Sequence, residues 1–377
     1  MNKDFSKHSP VKIRVSLDNL KHNYAVLRSA CATTKVMPVL KADAYGHGLI
    51  PCARAMLEAG APAIAVGIIP EGVYLREQGI TCPILSLLGP LNAEEAAQAA
   101  AKDIISLTAN MEQLNMLAAQ ASADKPAKVA LKFDTGMARL GFGKTDLAEL
   151  TAVLRKMPAV KPLIAMSHFA VADEISGTEF TGQQIATLKD IVGTLKNLYP
   201  DIKASLANSA GALAYPEAHL DIVRAGISLY GHNPFHGTHQ ESLGRDLKLV
   251  MEISTRLVQV HALRKGQSIS YGRTFTADRD MVVGIAACGY ANGYNRRLSN
   301  RAAMVVRGQR APIVGRVCMQ LTPLDLSHIP GAAVGDVVYI LGGPEACAVQ
   351  DWELAAWQDS IPHEIFCCMG DLNNLEY

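Results

Sequence analysis

The sequence lacks the features that mark several classes of protein. Its eight cysteines are scattered along 377 residues with no C-x-x-C pair, so neither a disulfide framework nor a zinc knuckle is indicated. The formal net charge is only +1 and the basic residues are dispersed, which gives no sign of nucleic acid or an anionic membrane as a partner. His47 and His168 have no carboxylate or thiol at the spacing of a metal site, and we expect no metal.

Long apolar segments are absent as well. No uninterrupted apolar run is long enough to span a bilayer, and the polar start MNKDFSKHSP has no apolar core of a signal peptide. We therefore expect a cytoplasmic protein. The length of 377 residues predicts two domains, although an α/β barrel by itself takes up to about 250 residues.

Short apolar runs alternate with helix-like segments in the first part of the chain. Helices are predicted from Asn92 to Lys102 and from Thr178 to Leu198, before Pro200. The alternation predicts an α/β protein with a closed (β/α)8 barrel of the TIM type, although an open doubly wound sheet uses the same alternation. No G-x-G-x-x-G follows the first strand, which weakens a dinucleotide-binding interpretation. The eight runs lie at 36–40, 63–67, 83–88, 103–107, 128–133, 163–168, 203–207 and 220–225.

Beyond about residue 240 the pattern changes to alternating strands between glycine-rich turns, with little helical period. We predict a barrel domain over residues 1–240 and a mainly β domain over residues 241–377. Residues 1–15, which include a strand-like alternation from Val11 to Val15, are a candidate for pairing with the second domain. The predicted strands of that domain lie at 250–260, 281–287, 303–306 and 337–341.

A lysine ends the first predicted strand of the barrel. The apolar run from Val36 to Leu40 stops at Lys41, and the turn Gly46-His47-Gly48 follows. Burial at a strand end would lower the pKa of Lys41 and yield the neutral amine that forms a Schiff base with a carbonyl. The hydroxyl of Tyr45, four residues on, could reach a phosphate. The alternative is a lysine that snorkels at a strand end beside glycines that only turn the chain.

The segment Lys41-Ala42-Asp43-Ala44-Tyr45-Gly46-His47-Gly48 resembles the cofactor-lysine signature of alanine racemases, the pyridoxal-phosphate enzymes that interconvert L- and D-alanine. The resemblance runs from about residue 11 to residue 345. It implies pyridoxal 5'-phosphate as the cofactor, an amino acid as the substrate, and a homodimer with shared active sites. It also implies a role in D-alanine supply for peptidoglycan or in alanine breakdown.

Polar residues follow five of the predicted barrel strands, at the end where such barrels carry their catalytic groups. The resemblance implies that Arg139 holds the cofactor's phenolic oxygen and the substrate carboxylate, and that Lys132, often carbamylated in the family, orients it. The alternative is a turn in which Asp134 makes local hydrogen bonds. The five polar groups are Lys41, Lys132 to Asp134, His168, Asn208 with Ser209, and Arg224.

Three further positions resemble the family's phosphate-binding residues: Ser209, Gly226 and Ile227. Arg224 resembles the arginine that faces the cofactor's ring nitrogen. Because a guanidinium only donates hydrogen bonds, that nitrogen stays unprotonated and the ring is a weaker electron sink, which suits racemisation over transamination. The alternative for Arg224 is a surface salt bridge with Asp221.

In the second domain, the segment from Ser270 to Phe275 resembles the motif that carries the opposing base. The resemblance implies that Tyr271 serves the face of the substrate that Lys41 cannot reach. Tyr290 and Met319 lie in two further segments that resemble the family, with Met319 expected near the substrate carboxylate through its backbone.

The chain also departs from the family pattern. Gln320 and Asn292 stand where aspartates are usual, Ser205 where histidine is frequent, and the tail lacks the usual Arg-Val-Pro. Three alternatives stand beside an alanine racemase: a racemase for serine or another amino acid, a basic amino-acid decarboxylase of similar architecture, and a cofactor-binding barrel without turnover. The decarboxylases pair the ring nitrogen with a carboxylate, and Arg224 at the matching position argues against them. The non-catalytic proteins are typically the barrel alone, and a second domain that carries Tyr271 argues against them, whereas the substrate preference stays open.

Overall fold

The computed structural model describes residues 9–377, apart from the side chain of Ile175. The chain forms two units. The barrel unit comprises Leu20–Ala44 and Leu49–Lys248, and the β unit comprises residues 9–19, Tyr45–Gly48 and Leu249–Tyr377. The segment after Lys41 is therefore divided between the two units.

The apolar runs of the barrel unit are parallel strands. The first strand of the chain, β1 (Lys12–Val15), belongs to the β unit. The barrel strands are β2 (Lys35–Pro38), β3 (Ile64–Val66), β4 (Ile84–Ser86), β5 (Ile104–Thr108), β6 (Ala127–Lys132), β7 (Val160–Met166), β8 (Lys203–Ser205) and β9 (Ile222–Ala225). Their order in the sheet is β2-β9-β8-β7-β6-β5-β4-β3, and a parallel bridge between Val39 and Ala65 brings β2 and β3 together. The predicted (β/α)8 barrel is confirmed, and the open-sheet alternative is wrong.

Side-chain caps start several of the helices between these strands. The Asn92 side chain accepts a hydrogen bond from the Glu95 N–H, as the predicted cap requires, and the helix predicted from Thr178 ends at Lys196. Within the described residues no helix is long and apolar enough to cross a membrane. Besides the short segment Lys41–Gly46, the helices up to residue 214 are Leu17–Ala30, Leu49–Glu58, Ile69–Glu77, Ala93–Ala101, Met111–Ala119, Leu147–Leu154, Thr178–Lys196 and Ser209–Ala214.

The β unit is built on one long strand, β10 (Met251–Leu263). The strands that follow it are β11 (Ser268–Ile269), β12 (Phe275–Thr276), β13 (Met281–Ala286), β14 (Ala303–Val306), β15 (Gln309–Pro312), β16 (Thr322–Asp325), β17 (Val337–Leu341) and β18 (Asn374–Glu376). The long strand pairs with β1, β13 and β17. Lys12 of β1 lies opposite Ser254 in the antiparallel pair with β10 and opposite Asn374 in the parallel pair with β18. Residues 1–8 of the segment expected to pair lie outside the described residues.

Two helices near the end of the chain, Asp351–Gln358 and Pro362–Leu372, depart from the little helical structure that we expected there. Glu353 caps the first by accepting a hydrogen bond from the Gln350 N–H at 2.9 Å, and Pro362 opens the second. A proline suits the first turn because the N–H that it lacks would have no partner within the helix.

Candidate active site

Lys41 lies three residues beyond the end of β2 and begins a short helical turn, Lys41–Gly46. The backbone φ angles from Ala42 to Tyr45 lie between 53° and 56°, so the turn is left-handed. Lys41 is exposed, and the burial that we expected for it is therefore wrong. The strand β2 ends at Pro38, so Lys41 lies beyond the paired part of the strand.

Lys132, at the end of β6, is the buried lysine of the site, with 6% of its surface exposed. Burial, the largest cause, and the charges of Arg224 and Arg139 together lower its pKa to about 8, while Asp134 acts in the opposite direction. Its Nζ donates a hydrogen bond to the Phe133 carbonyl at 2.8 Å. A partly neutral amine at this position is a consequence of desolvation.

The loop that follows Lys132 is closed by backbone hydrogen bonds between Phe142 and both Lys132 and Asp134. Asp134 accepts hydrogen bonds from the N–H groups of Gly136 and Ala138 at 2.9 and 3.0 Å. Burial opposes ionisation of Asp134, but these backbone bonds outweigh it and lower the pKa of the carboxyl. The local turn considered for Asp134 therefore forms, and Arg139, one residue beyond it, is exposed.

Arg224, on β9, has only 4% of its surface exposed. Its guanidinium donates hydrogen bonds to Ser205 Oγ at 2.5 Å and to the Ser167 carbonyl at 2.6 Å. A third contact joins Nη2 to His168 Nδ1 at 3.3 Å. Burial lowers the pKa of Arg224 to about 10.

The surface salt bridge considered for Arg224 is wrong. The Asp221 carboxylate accepts a hydrogen bond from the Ala204 N–H at 2.8 Å, and among residues 9–377 no carboxylate lies within ion-pair distance of Arg224. A buried guanidinium with neutral partners keeps its full positive charge directed at the surrounding groups.

The pKa of His168 is affected by several positive charges at this end of the barrel. Its pKa is lowered well below the ordinary value, first by burial and then by four cations, Arg224, Arg139, Lys132 and Lys41. The imidazole is therefore neutral, so that its Nδ1 can accept the hydrogen bond from Arg224. We call Lys41, Lys132, Arg139 and Arg224 the cationic cluster.

Ser209 and the Gly226 loop, predicted to bind phosphate, form one structure. The Ser209 Oγ accepts hydrogen bonds from the Gly226 N–H at 3.0 Å and the Ser228 N–H at 3.3 Å. Ile227 lies between these donors and is buried with them. The predicted site residues of the barrel unit thus form two groups. One consists of His168 with Lys41, Lys132, Arg139 and Arg224, and the other of Ser209 with Gly226 and Ile227.

Tyr45 belongs to the β unit, where its ring lies 5.7 Å from the ring of His363 at an angle of 44°. Burial raises the pKa of Tyr45, and Cys367 raises it further. The sequence pattern did not single out His363, because it lies in the tail, where the resemblance is weakest. The local sequence signal near His363 was Pro362, which indicates the start of the helix that carries His363.

The remaining predicted residues lie in three connected segments of the β unit. The Ser270 Oγ, beside Tyr271, donates a hydrogen bond to the Arg316 carbonyl at 2.6 Å. The Tyr290 N–H donates to the Cys318 carbonyl at 3.1 Å, which joins Tyr290 to the segment of Met319. Tyr271 is 68% exposed, Met319 58% and Tyr290 42%.

The comparison with protein families separates the same two parts of the chain. Residues 15–234 match the family model described as alanine racemase, N-terminal domain, and residues 250–377 match alanine racemase, C-terminal domain. The chain belongs to the alanine racemase family.

Individual relatives agree over nearly the whole length. An alanine racemase of Nitratidesulfovibrio vulgaris strain Miyazaki F is 46% identical over 363 residues, covering 96% of this chain and 97% of the relative. The solved alanine racemase of Streptomyces lavendulae is 30% identical with a TM-score of 0.91, covering 98% of this chain and 97% of its own. A Bartonella henselae alanine racemase, described as having covalently bound pyridoxal phosphate, is 27% identical with a TM-score of 0.85, covering 97% of this chain and 99% of its own.

Two departures from the alanine racemase pattern contact each other. Asn292, in place of the usual aspartate, is buried, and its amide donates a hydrogen bond to Asn373 Oδ1 at 3.4 Å. The Asn373 amide in turn donates to the Asn292 carbonyl at 2.9 Å. Asn292 and Asn373 of the tail therefore form a pair of neutral amides. Gln320, the other aspartate replacement, is exposed.

Across residues 9–377 no group of three or more histidine, cysteine, aspartate or glutamate side chains is arranged to hold a metal ion. The charged groups of the barrel unit's site are instead mainly cations, which suits anionic ligands.

Proposed function

We propose that this protein is a pyridoxal-phosphate-dependent racemase that interconverts L-alanine and D-alanine by a two-base mechanism. The observation that carries the proposal is the cationic cluster around neutral His168. Four cations that act on one imidazole attract a ligand that brings several negative charges. A phosphorylated cofactor together with a substrate carboxylate supplies them.

The residues of the site fit this cofactor. Lys41, an exposed residue, would offer its amine for covalent attachment, and Ser209 with the Gly226 loop would offer a hydroxyl and backbone groups for the phosphate. When bound, pyridoxal phosphate supplies a carbonyl for that attachment and a ring that withdraws electrons from the substrate's Cα. Arg224 would serve as the hydrogen-bond donor to the ring nitrogen, and its neutral partners would favour an unprotonated ring.

The chain supplies the two proton-transfer groups that racemisation requires, one for each face of the substrate carbon. Lys41 Nζ takes or returns the proton on one face, and Tyr271 Oη does so on the other. Arg139, with its planar and permanently charged guanidinium, holds the substrate carboxylate, assisted by the backbone of Met319. Tyr45 contributes its hydroxyl to the cofactor phosphate, while His168, Lys132 and Tyr290 support these groups.

The active sites are shared in a homodimer. Tyr271 is 68% exposed in the single chain, which suits a base that serves the partner subunit, and a two-fold dimer makes two equal sites from such an exchange. Residues 1–240 act as the cofactor-binding barrel and residues 241–377 as the domain that carries the second base. The protein acts in the cytoplasm and supplies D-alanine for peptidoglycan.

Complementation tests the shared site. Lys41→Ala and Tyr271→Phe subunits, each inactive alone, are mixed, dissociated and reassociated. About a quarter of the wild-type activity should return, because about half of the dimers are mixed and each has one intact site. If subunit exchange is demonstrated and no activity returns, both bases come from one chain.

The competing activities are separated by substrate. A decarboxylase would need a carboxylate at the ring nitrogen, and the proposed role of Arg224 at that nitrogen argues against this activity. A preference for serine or another amino acid is tested by incubating the purified protein with a panel of L-amino acids and resolving the products by chiral chromatography. Alanine should racemise fastest, and a faster reaction with another amino acid would reassign the substrate.

A further inference from the structure

The turn that follows Lys41 adopts a conformation that its sequence disfavours. Five consecutive residues, 42–46, have positive φ angles between 53° and 74°. Only the last of them is glycine, and residues with a Cβ atom pay a steric penalty in the left-handed region. Such backbone persists only where surrounding contacts enforce it.

Glu71 supplies one of these contacts from a different part of the barrel unit. Its Oε1 accepts a hydrogen bond from the Asp43 N–H at 3.2 Å, inside the left-handed turn. Its Oε2 accepts hydrogen bonds from the N–H groups of Gly67 at 2.7 Å and Ile68 at 3.3 Å, where the helix Ile69–Glu77 begins. One carboxylate therefore ties the turn to a helix start.

Gly67 packs directly between these groups. A Cβ atom at Gly67 would lie 3.1 Å from the Cβ of Lys41 and 3.1 Å from Glu71 Oε2. The Lys41 stem thus lies against the segment that Glu71 holds. At the far end of the turn, Asp43 Oδ1 accepts a hydrogen bond from the Leu49 N–H at 2.8 Å, which joins the turn to the next helix.

We propose that Glu71 is a positioning residue that holds the left-handed turn and thereby fixes the direction in which Lys41 presents its amine. The proposal rests on the proposed function of Lys41. Because proton transfer requires the amine to be aligned with the substrate carbon, a relaxed turn reduces turnover more than substrate binding.

The first test is Glu71→Gln, which keeps the shape of the side chain but replaces one accepting oxygen with an NH2 group. We expect kcat to fall by about 10- to 100-fold, with KM changed by less than about threefold. The matched control is Glu95→Gln. Glu95 also caps a helix of the barrel unit, accepting a hydrogen bond from the Leu91 N–H at 2.9 Å. This contact lies in the loop before the helix Ala93–Ala101 and not in the turn after Lys41. Its kcat should stay unchanged.

The second test is rescue by glycine. Ala42 is exposed and has a φ of 53°, so Ala42→Gly removes the steric penalty without removing a buried side chain. In the Glu71→Gln background it should restore most of the lost kcat. Ala32→Gly is the control, since Ala32 is also exposed with a φ of 49° but lies outside the turn. It should restore nothing.

Hydrogen exchange of the apoprotein provides a readout that does not depend on activity. In Glu71→Gln the amides of residues 42–49 should exchange faster, whereas Glu95→Gln should leave them unchanged. The proposal is overturned if Glu71→Gln retains the kcat of its control, if Ala42→Gly gives no rescue, or if exchange does not change. A wild-type protein without racemase activity would instead overturn the proposed function, while the exchange experiment still reports on the turn.

Discussion

Replacing Lys132 with methionine should stabilise the apoprotein at neutral pH while impairing the enzyme. Lys132 is buried, and its pKa is lowered from 10.5 to about 8. Keeping this amine protonated in the folded state therefore costs about 3 kcal/mol. Methionine has a similar shape and carries no charge. It loses the hydrogen bond to the Phe133 carbonyl, worth about 1 kcal/mol, but Ser167 Oγ also donates to that carbonyl at 2.8 Å. A net gain of about 2 kcal/mol remains.

The gain should depend on pH in a defined direction. Because the folded pKa of Lys132 lies below the unfolded value, the unfolded chain binds the extra proton between about pH 8 and pH 10.5. The wild-type protein therefore bears the whole penalty below the folded pKa and loses it as the pH rises to the unfolded pKa. The advantage of Lys132→Met should be largest near neutral pH and should shrink across that window.

Urea unfolding of the two apoproteins at several pH values measures this difference. The matched control is Lys128→Met on the same strand, where the lysine is 40% exposed and pairs with Asp103 at 2.7 Å. That change should alter stability by less than about 1 kcal/mol. A Lys132→Met protein that is less stable than wild type at neutral pH, or a difference that stays constant as pH rises, would refute the reasoning. The activity of Lys132→Met should fall by about tenfold or more if Lys132 has the orienting role toward Arg139 that the family resemblance implies.

Three further outcomes are expected. Borohydride reduction of the cofactor-loaded protein should remove its visible absorbance and leave the cofactor mass on the peptide with Lys41; a label on another lysine would defeat the assignment. Arg224→Glu should raise the share of transamination product, because the ring nitrogen can then be protonated, and an unchanged product ratio would contradict the role of Arg224. Asn292→Asp should lower the unfolding free energy by about 2 kcal/mol at neutral pH, since a buried carboxylate would face Asn373 Oδ1. Acidification should reduce that loss, and a variant as stable as wild type would contradict the amide-pair interpretation.

The barrel and the grouping of charged residues near His168 could be predicted because they depend on local patterns. Strands covered on both faces are short apolar runs, so β5 and β6 are visible in the sequence within a residue or two of their ends. Since parallel strands end on the same side of a barrel, the polar residues after them could be grouped before any contact was known. Lys132 and Arg224 belong to that group, and both sit among the charges that act on His168.

The turn after Lys41 could not be predicted in the same way. Ala42 and Asp43 carry no local signal for a left-handed conformation, which is imposed through Glu71, 28 residues away. The expected burial of Lys41 was wrong for a separate reason, because β2 ends at Pro38, three residues before the lysine. The contact between Glu71 and Asp43 joins segments that are distant in the sequence, and a periodic pattern does not record such contacts.

The departure at Ser205 illustrates how a site tolerates a change of residue while keeping its electrostatics. Arg224 needs partners that satisfy its N–H groups without neutralising its charge. A hydroxyl meets this requirement as a neutral histidine would, and Ser205 Oγ is joined by the Ser167 carbonyl and the uncharged His168. All three accept hydrogen bonds and none carries a negative charge. These partners therefore do not neutralise the positive charge of Arg224, which stays available to a hydrogen-bond acceptor of a ligand. A serine in place of histidine leaves this charge unneutralised as well.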